Sequence, residues 1–398
     1  MKASISIKDY NRMIKAAAAF ADKDGAVNGR NALLVHDGLF EVMALSCDGT
    51  TAELHQFVAV EPVYNADFFC IGPVEDGAYT VKVKDLPKFK GIDKDILVHF
   101  GAANGTPLTI MAGCYVFRIN ADQMAYDGYA FAKPEGDTET EIELSPADCK
   151  GLKFVALAMM PPWGACECNE FVGAVIREGS MVATDGHRLH ICPTTQPSAT
   201  LRGIIPAKVV NVLAGGICGT LKEFCNKSKP DKKGNVETFA KWHVLEAPGV
   251  RLVYRPIAGQ FPDFQRVIPN YKIDEIADID AEVLAKTVKM LTSGLKLSNC
   301  IFECTADKNL HITCQAMRLN RKSNETVTDE SIPPRATTIP AENFQSTICF
   351  NSEYILEALS GKSGTIQLCV IDGDSPAWFG SWKGGVEGMG AILMPMMI

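Results

Sequence analysis

The chain has 398 residues, 47% of them apolar and 22% charged, with a net charge of −8 at neutral pH. That length predicts two to four globular domains with ample material for their cores. The acidic balance argues against nonspecific nucleic-acid binding by the whole surface, though it leaves a local basic surface open. No apolar run approaches the ~20 residues that a membrane helix needs.

The first seven residues alternate like a strand and lack the apolar core of a signal peptide. A soluble, unexported, cytoplasmic protein is expected. Cys70, Cys114, Cys192, Cys300, Cys314, Cys349 and Cys369 stand singly in apolar contexts, so they read as free thiols in a reducing compartment.

A helix is predicted over residues 8–21, with Tyr10, Met13, Ile14, Ala17, Ala18 and Ala21 at helical spacing. Strand-like runs follow at 32–36, 109–112 and 115–119. Between them a short helix over 84–90 is predicted to stop at Gly91. The polar stretch 132–139 marks a boundary. Ser145-Pro146-Ala147-Asp148 then caps a helix to about Met159, with proline at the first helical position.

Strand-like runs recur at 172–176 and 180–183. A short helix over 206–213 is closed by Gly215, and 225–242 reads as a solvated loop carrying Lys227, Lys229, Lys232 and Lys233. A second boundary lies between 269 and 280. Asp280 caps a helix to about Thr292, a strand follows at 310–313, a helix over 351–359 ends at Gly361, and a strand covers 365–370. The sum is three tandem units of about 130 residues, each with two helix-plus-strands halves. The predicted class is α+β with mostly antiparallel strands.

Three stretches carry the functional signal. Thr184-Asp185-Gly186-His187-Arg188-Leu189 packs polar groups at a strand exit. As an enzyme, Asp185 and His187 would be an orienting acid and a general base, with Cys192 or Ser180 as nucleophile. No nucleophile elbow or phosphate-cradling glycine loop accompanies them, so a tight turn at Asp185-Gly186 is the better reading. As a zinc hydrolase, His187, His190, Cys192, Cys166 and Cys168 would supply ligands. Against this, Cys166-Glu167-Cys168 lacks the usual two-residue gap, and His187 and His190 on one strand would face opposite ways. As a protein-binding cleft, the stretch gains two partners: the aromatic, proline-punctuated 259–269, and the apolar, methionine-rich tail 391–398.

The sequence resembles the bacterial-type β sliding clamps, the processivity subunits of replicative DNA polymerase. The resemblance rests on Ala183-Thr184-Asp185-Gly186-His187-Arg188-Leu189, on Gly259-Gln260-Phe261-Pro262-Asp263-Phe264-Gln265-Arg266-Val267-Ile268-Pro269, on Met394-Pro395-Met396, and on Phe350-Asn351-Ser352-Glu353-Tyr354. It covers the whole chain. It implies no catalytic residue, metal or cofactor. It implies three similar domains (1–130, 140–262 and 272–398), antiparallel sheets outside, and helices lining a ring of two head-to-tail chains around duplex DNA. The implied partners are DNA without regard to sequence, a polymerase, a clamp loader, other proteins with a clamp-binding motif, and a second copy.

The implied partner-binding residues are Phe171, Thr184, Gly186, His187, Arg188 and Leu189, then Pro262, Arg266 and Val267, then Asn351 and Tyr354, then Met394, Pro395 and Met396. Leu297 stands where the family often has an aromatic wall residue, and the 225–242 insertion has no family counterpart. Lys208 matches a basic family position facing DNA. Lys8, Arg12, Lys15, Lys150, Lys153, Lys286 and Lys289 are candidates by their place on the helices, for phosphate contacts that ignore sequence. Ring closure is expected at an edge strand around Tyr115, Val116 and Phe117.

Overall fold

The computed structural model of the chain describes residues 2–20, 32–36, 39–46, 52–60, 77–82, 85–93, 96–101, 107–119, 121–124, 137–160, 171–227, 238–268, 276–307, 309–320, 325–341, 344, 346–382 and 386–397. Among these are five α-helices: α1 Ile7–Phe20, α2 Pro146–Val155, α3 Ala207–Leu213, α4 Ala281–Leu291 and α5 Ser352–Ala358.

Three helices begin the same way. In α1 the Asp9 amide donates to Ser6 Oγ at 3.1 Å, and Ser6 Oγ donates to Asp9 Oδ2 at 2.7 Å. In α2 the Asp148 amide donates to Ser145 Oγ at 3.2 Å, while Asp148 Oδ2 accepts from the Ser145 amide at 2.9 Å. This is a capping box with aspartate in the reciprocal position. In α4 the Val283 amide donates to Asp280 Oδ1 at 2.8 Å. These three side-chain-capped helices start at residues 7, 146 and 281. The shorter α5 is capped by Asn351, which accepts from the Glu353 amide at 2.9 Å. Glycines in the left-handed region follow α3 and α5: Gly361 as expected, and Gly216 rather than Gly215.

The chain divides into two compact units. The first comprises Met1–Cys149 and Leu201–Ala258. In it, strands Lys2–Ser6, Leu97–Gly101, Leu108–Ala112 and Tyr115–Ile119 form a four-stranded antiparallel sheet, with Tyr115–Ile119 at its edge. A nine-stranded sheet also lies here. Its central junction pairs Val250–Tyr254 with Ala52–Ala59, setting Leu252 opposite Leu54. Helix α1 turns Ile7, Tyr10, Met13, Ile14, Ala17 and Phe20 into this core, the stripe that a 3.6-residue period puts on one face.

The second unit comprises Lys150–Thr200 and Gly259–Ile398. Strands Gly173–Arg177, Ser180–Thr184 and Arg188–Pro193 form a meander, and the last of these pairs with Val386–Leu393, placing Leu189 opposite Ile392. The sheet continues through Ala377–Trp382 and Thr365–Cys369 to Ile276–Asp280. Strands Ser298–Cys304, Leu310–Asn320, Arg335–Ile339 and Ile348–Asn351 belong to another antiparallel sheet of the same unit. Trp378, Phe379 and Phe350 are fully buried between these elements.

Four expectations are corrected. Residues 85–90 form no α-helix; Lys84 lies outside the described residues. Pro87 lacks an amide proton, and the segment is fastened to α1 instead: Pro87 O accepts from the Tyr10 hydroxyl at 2.9 Å, and Phe89 O from Asn11 Nδ2 at 2.8 Å. The loop expected at 225–242 is narrower, because strands Gly219–Lys227 and Thr238–Ala247 run into it and pair Lys227 with Thr238; Lys229, Lys232 and Lys233 lie outside the described residues. Ala18 is on the exposed side of α1, and Ala21 lies outside the described residues. Finally, Cys300 and Cys314 are joined in a disulfide. They sit directly opposite each other on paired strands, a register that spacing alone does not reveal. Cys114, Cys192, Cys349 and Cys369 are free thiols; Cys70, Cys166 and Cys168 lie outside the described residues.

Candidate partner-binding site

The stretch 184–189 is a turn held by its own side chains. Asp185 Oδ1 accepts from the amides of His187 at 2.9 Å and Arg188 at 3.0 Å. Thr184 Oγ1 donates to the Arg188 carbonyl at 2.6 Å and accepts from the Gly186 amide at 3.1 Å. Gly186 has φ of 89°, a conformation that costs other residues about 1 kcal/mol or more. Aspartate and threonine are common in such turns because their oxygens reach backbone amides two or three residues on. The turn reading of Asp185-Gly186 therefore holds.

Arg188 is the best-anchored side chain here. Its Nε donates to Asp185 Oδ2 at 3.1 Å, and its NH1 pairs with Glu357 of α5. Its guanidinium lies 4.1 Å from the centre of the Tyr354 ring. With Arg188 and Asp185 each only 10% exposed, the plane of the arginine is fixed from three sides. Burial, and then the nearby Asp185 charge, push the Tyr354 hydroxyl pKa above its ordinary value.

The C-terminal tail docks on the same turn. The Met394 amide donates to the His187 carbonyl at 2.9 Å, and the Met396 amide to the Cys349 carbonyl at 2.8 Å. The His187 imidazole is exposed, so His187 serves here through its backbone.

These contacts shape an apolar cavity of about 140 Å³. One wall comes from Thr184, Gly186, Arg188 and Leu189, and Phe171 faces them. Pro262, Phe264 and Val267 supply a second wall, and Ile392 with Met394 a third. Three stretches far apart in sequence thus meet at one hollow, with Val267 43% and Met394 41% exposed at its edge. An apolar hollow edged by a few fixed polar groups has the chemistry of a site for a large apolar side chain.

The structure brings eight of the sequence-predicted residues to this cavity: Phe171, Thr184, Gly186, Arg188, Leu189, Pro262, Val267 and Met394. The other seven do not line it. Tyr354 and His187 brace it as described, and Asn351 caps α5. Pro395 and Met396 continue the tail past it. Arg266 is paired with Asp263 at 2.8 Å on the exposed surface, and Leu297 is 46% exposed. Sequence reasoning missed Phe264 and Ile392 as lining residues. Both stood inside stretches already singled out, but burial direction depends on the pairing of Leu189 with Ile392.

No family model and no curated protein sequence matches the chain. Solved structures do. A DnaN sliding clamp (DNA polymerase III subunit beta) of Pseudomonas aeruginosa, bound to griselimycin, is similar over 100% of both chains, with a TM-score of 0.71 and 17% identity. A DnaN sliding clamp of Bartonella birtlesii, also bound to griselimycin, gives 0.70 and 17% over 100% of both chains. The beta sliding clamp of Caulobacter crescentus, with polyethylene glycol in a region proposed to tether beta-motifs, gives 0.71 and 17%, covering 100% of this chain and 99% of that one.

The chain has the sliding-clamp fold.

Within that fold, the basic candidates lie on helices and outside the core. Lys8, Arg12 and Lys15 on α1, Lys150 and Lys153 on α2, and Lys286 and Lys289 on α4 are exposed, and Lys208 on α3 is half-buried. Arg12 pairs with Asp9 at 3.1 Å and Lys286 with Glu282 at 3.7 Å. Both are neighbours on one helical turn, a weak kind of pair that leaves the cation accessible. In the first unit, Arg12, Lys15 and Lys208 border a single cavity between α1 and α3.

The zinc-hydrolase alternative finds no support in this fold. His190 is fully buried, with Nδ1 2.9 Å from the Phe154 carbonyl and its ring stacked on Phe154 at 4.4 Å. Burial holds its pKa down at about 3. Among the described residues, no group of three His, Cys, Asp or Glu side chains is placed to hold a metal ion.

One buried polar cluster went unread in the sequence. Glu223, with no exposed surface, accepts from Arg202 NH1 at 2.6 Å and lies 3.5 Å from His243 Nε2. His243 Nδ1 is 3.1 Å from the Tyr254 hydroxyl. Glu223, His243 and Tyr254 are successive cross-strand neighbours, so the cluster is created by register.

Proposed function

We propose that this protein is a DNA sliding clamp. Two copies close head to tail around duplex DNA, and the ring tethers a replicative polymerase and other partners. The observation that carries this reading is the meeting of 184–189, 262–267 and the tail at one apolar cavity, in a chain that follows the sliding-clamp fold along its whole length. Each chain contributes three similar domains, 1–130, 140–262 and 272–398. Partners insert a short segment with large apolar side chains into the cavity, and Arg188, fixed by Asp185, Glu357 and Tyr354, orients it. The helices carry Arg12, Lys15, Lys150, Lys153, Lys208, Lys286 and Lys289 toward DNA phosphates. These contacts are independent of sequence and weaken with salt. A clamp loader opens and closes the ring on DNA in the cytoplasm. The reading involves no catalytic step and no cofactor.

Ring closure uses the edge strand Tyr115–Ile119. Tyr115 is 51%, Val116 55% and Phe117 37% exposed, an apolar edge that a soluble monomer would ordinarily protect. The test is mass in solution. Light scattering should give twice the 43.1 kDa of one chain, and Val116→Glu should shift it to the single-chain mass with unchanged circular dichroism. A monomeric wild-type protein would remove the ring.

A further inference from the structure

We propose that the cavity between α1 and α3 is a nucleotide pocket, taking a planar heteroaromatic ring that carries a phosphate. The cavity holds about 690 Å³, inside the range of sites that enclose a small molecule. All its lining residues belong to the first unit.

Two kinds of surface meet there. Arg12, Lys15 and Lys208 supply three cations, concentrated on one spot of a protein whose net charge is −8. That concentration matches a phosphate dianion, which charge-assisted hydrogen bonds from several cations hold far better than one does. Most of the remaining lining is apolar, including Ala16 and Ala19 of α1, Val212 of α3, Ile217 and Val250. Ala16 and Ala19 are one helical turn apart, so their small side chains leave a flat patch on which a ring can lie. Two amides complete the wall. Gln56 is only 2% exposed, and its Nε2 is fastened to the Met13 carbonyl at 2.8 Å; Asn211 of α3 is the other. Amides in an apolar wall read ring edges by hydrogen bonds, while the cations hold the phosphate.

A DNA-contact surface needs only accessible cations. An apolar cavity beside them adds selectivity for the ring, so this pocket goes beyond the clamp reading and does not depend on ring closure. Two sources could supply the ligand, a free nucleoside monophosphate or a terminal nucleotide of a DNA strand, and both present the same ring and phosphate.

The experiment titrates the full-length protein with deoxyadenosine 5′-monophosphate, followed by calorimetry and by protection of Cys218, which borders the cavity, from alkylation read by peptide mass spectrometry. Deoxyadenosine and inorganic phosphate are titrated alongside, and a 5′-phosphorylated single-stranded oligonucleotide distinguishes the strand end from the free nucleotide. Saturable binding of the monophosphate is expected, at least about tenfold tighter than either fragment, with slower labelling of Cys218. Ala19→Trp fills the cavity from an exposed helix position and should abolish this binding without changing the dimer mass. Lys15→Glu should weaken the monophosphate more than deoxyadenosine. No binding, binding of the nucleoside or of phosphate alone with equal strength, or unchanged affinity in Ala19→Trp overturns the proposal. A monomeric protein that still binds the monophosphate would remove the clamp reading alone.

Discussion

Replacing Glu223 by alanine is expected to lower the unfolding free energy by about 1–3 kcal/mol, the usual cost of leaving buried hydrogen-bond donors without their acceptor. Glu223 is fully buried on strand Gly219–Lys227. Its carboxylate holds Arg202 NH1 at 2.6 Å, accepts from Cys225 Sγ at 3.4 Å, and lies beside His243. Alanine leaves the buried His243 and Cys225 facing the space of the lost carboxylate, while the half-exposed Arg202 turns to water, and the strand cannot move away without breaking its pairing on both sides. A fall in midpoint temperature of roughly 5 °C corresponds to a loss of this size.

The same residue sets a pH signature. Burial alone would raise the Glu223 pKa, but His243 and Arg202 outweigh it and pull it from 4.5 down to about 2. A carboxylate with a depressed pKa in the folded state stabilises above its unfolded pKa. That contribution is lost as pH falls from about 4.5 toward 2. Glu223→Gln should therefore flatten this part of the stability profile. A Glu223→Ala protein as stable as wild type in denaturant melts would show that the cluster contributes nothing net.

Deleting residues 394–398 is expected to weaken binding of a clamp-motif peptide by about 100-fold or more. Met394 lines the cavity and is 41% exposed, the position of an anchor-contacting residue, and such contacts are commonly worth about 2–4 kcal/mol. The fold should survive, because strand Val386–Leu393 and its pairs with Arg188–Pro193 end before the deletion. Dimer mass and thermal midpoint should stay near wild type. Fluorescence anisotropy of a labelled peptide measures the effect, and an affinity within a factor of about three of wild type would separate the tail from the site.

The sequence shows the helices and their caps clearly. Ser145-Pro146-Ala147-Asp148 and Asp280 act through local hydrogen bonds, and local chemistry is legible in one dimension. The same holds for the turn at Asp185-Gly186. The missed features depend on strand register. The Cys300–Cys314 pair, the Glu223–His243–Tyr254 ladder, and the arrival of Ile392 beside Leu189 all follow from which residue faces which across a sheet. The short helix expected before Gly91 is absent for a related reason: distant side chains, Tyr10 and Asn11, fasten that segment to α1. At the site, the motifs located the walls, but they did not separate residues that line the cavity, such as Leu189, from those that hold it in shape, such as Tyr354.

Encirclement of DNA is a topological property with its own assay. The protein, loaded with a clamp loader onto nicked circular duplex DNA, should travel with the circle through gel filtration at a salt concentration that screens phosphate contacts. Cutting the circle once should release it. Equal retention on circular and linear DNA, or loss from the intact circle as salt rises, would mean that the protein binds DNA by contact and does not encircle it.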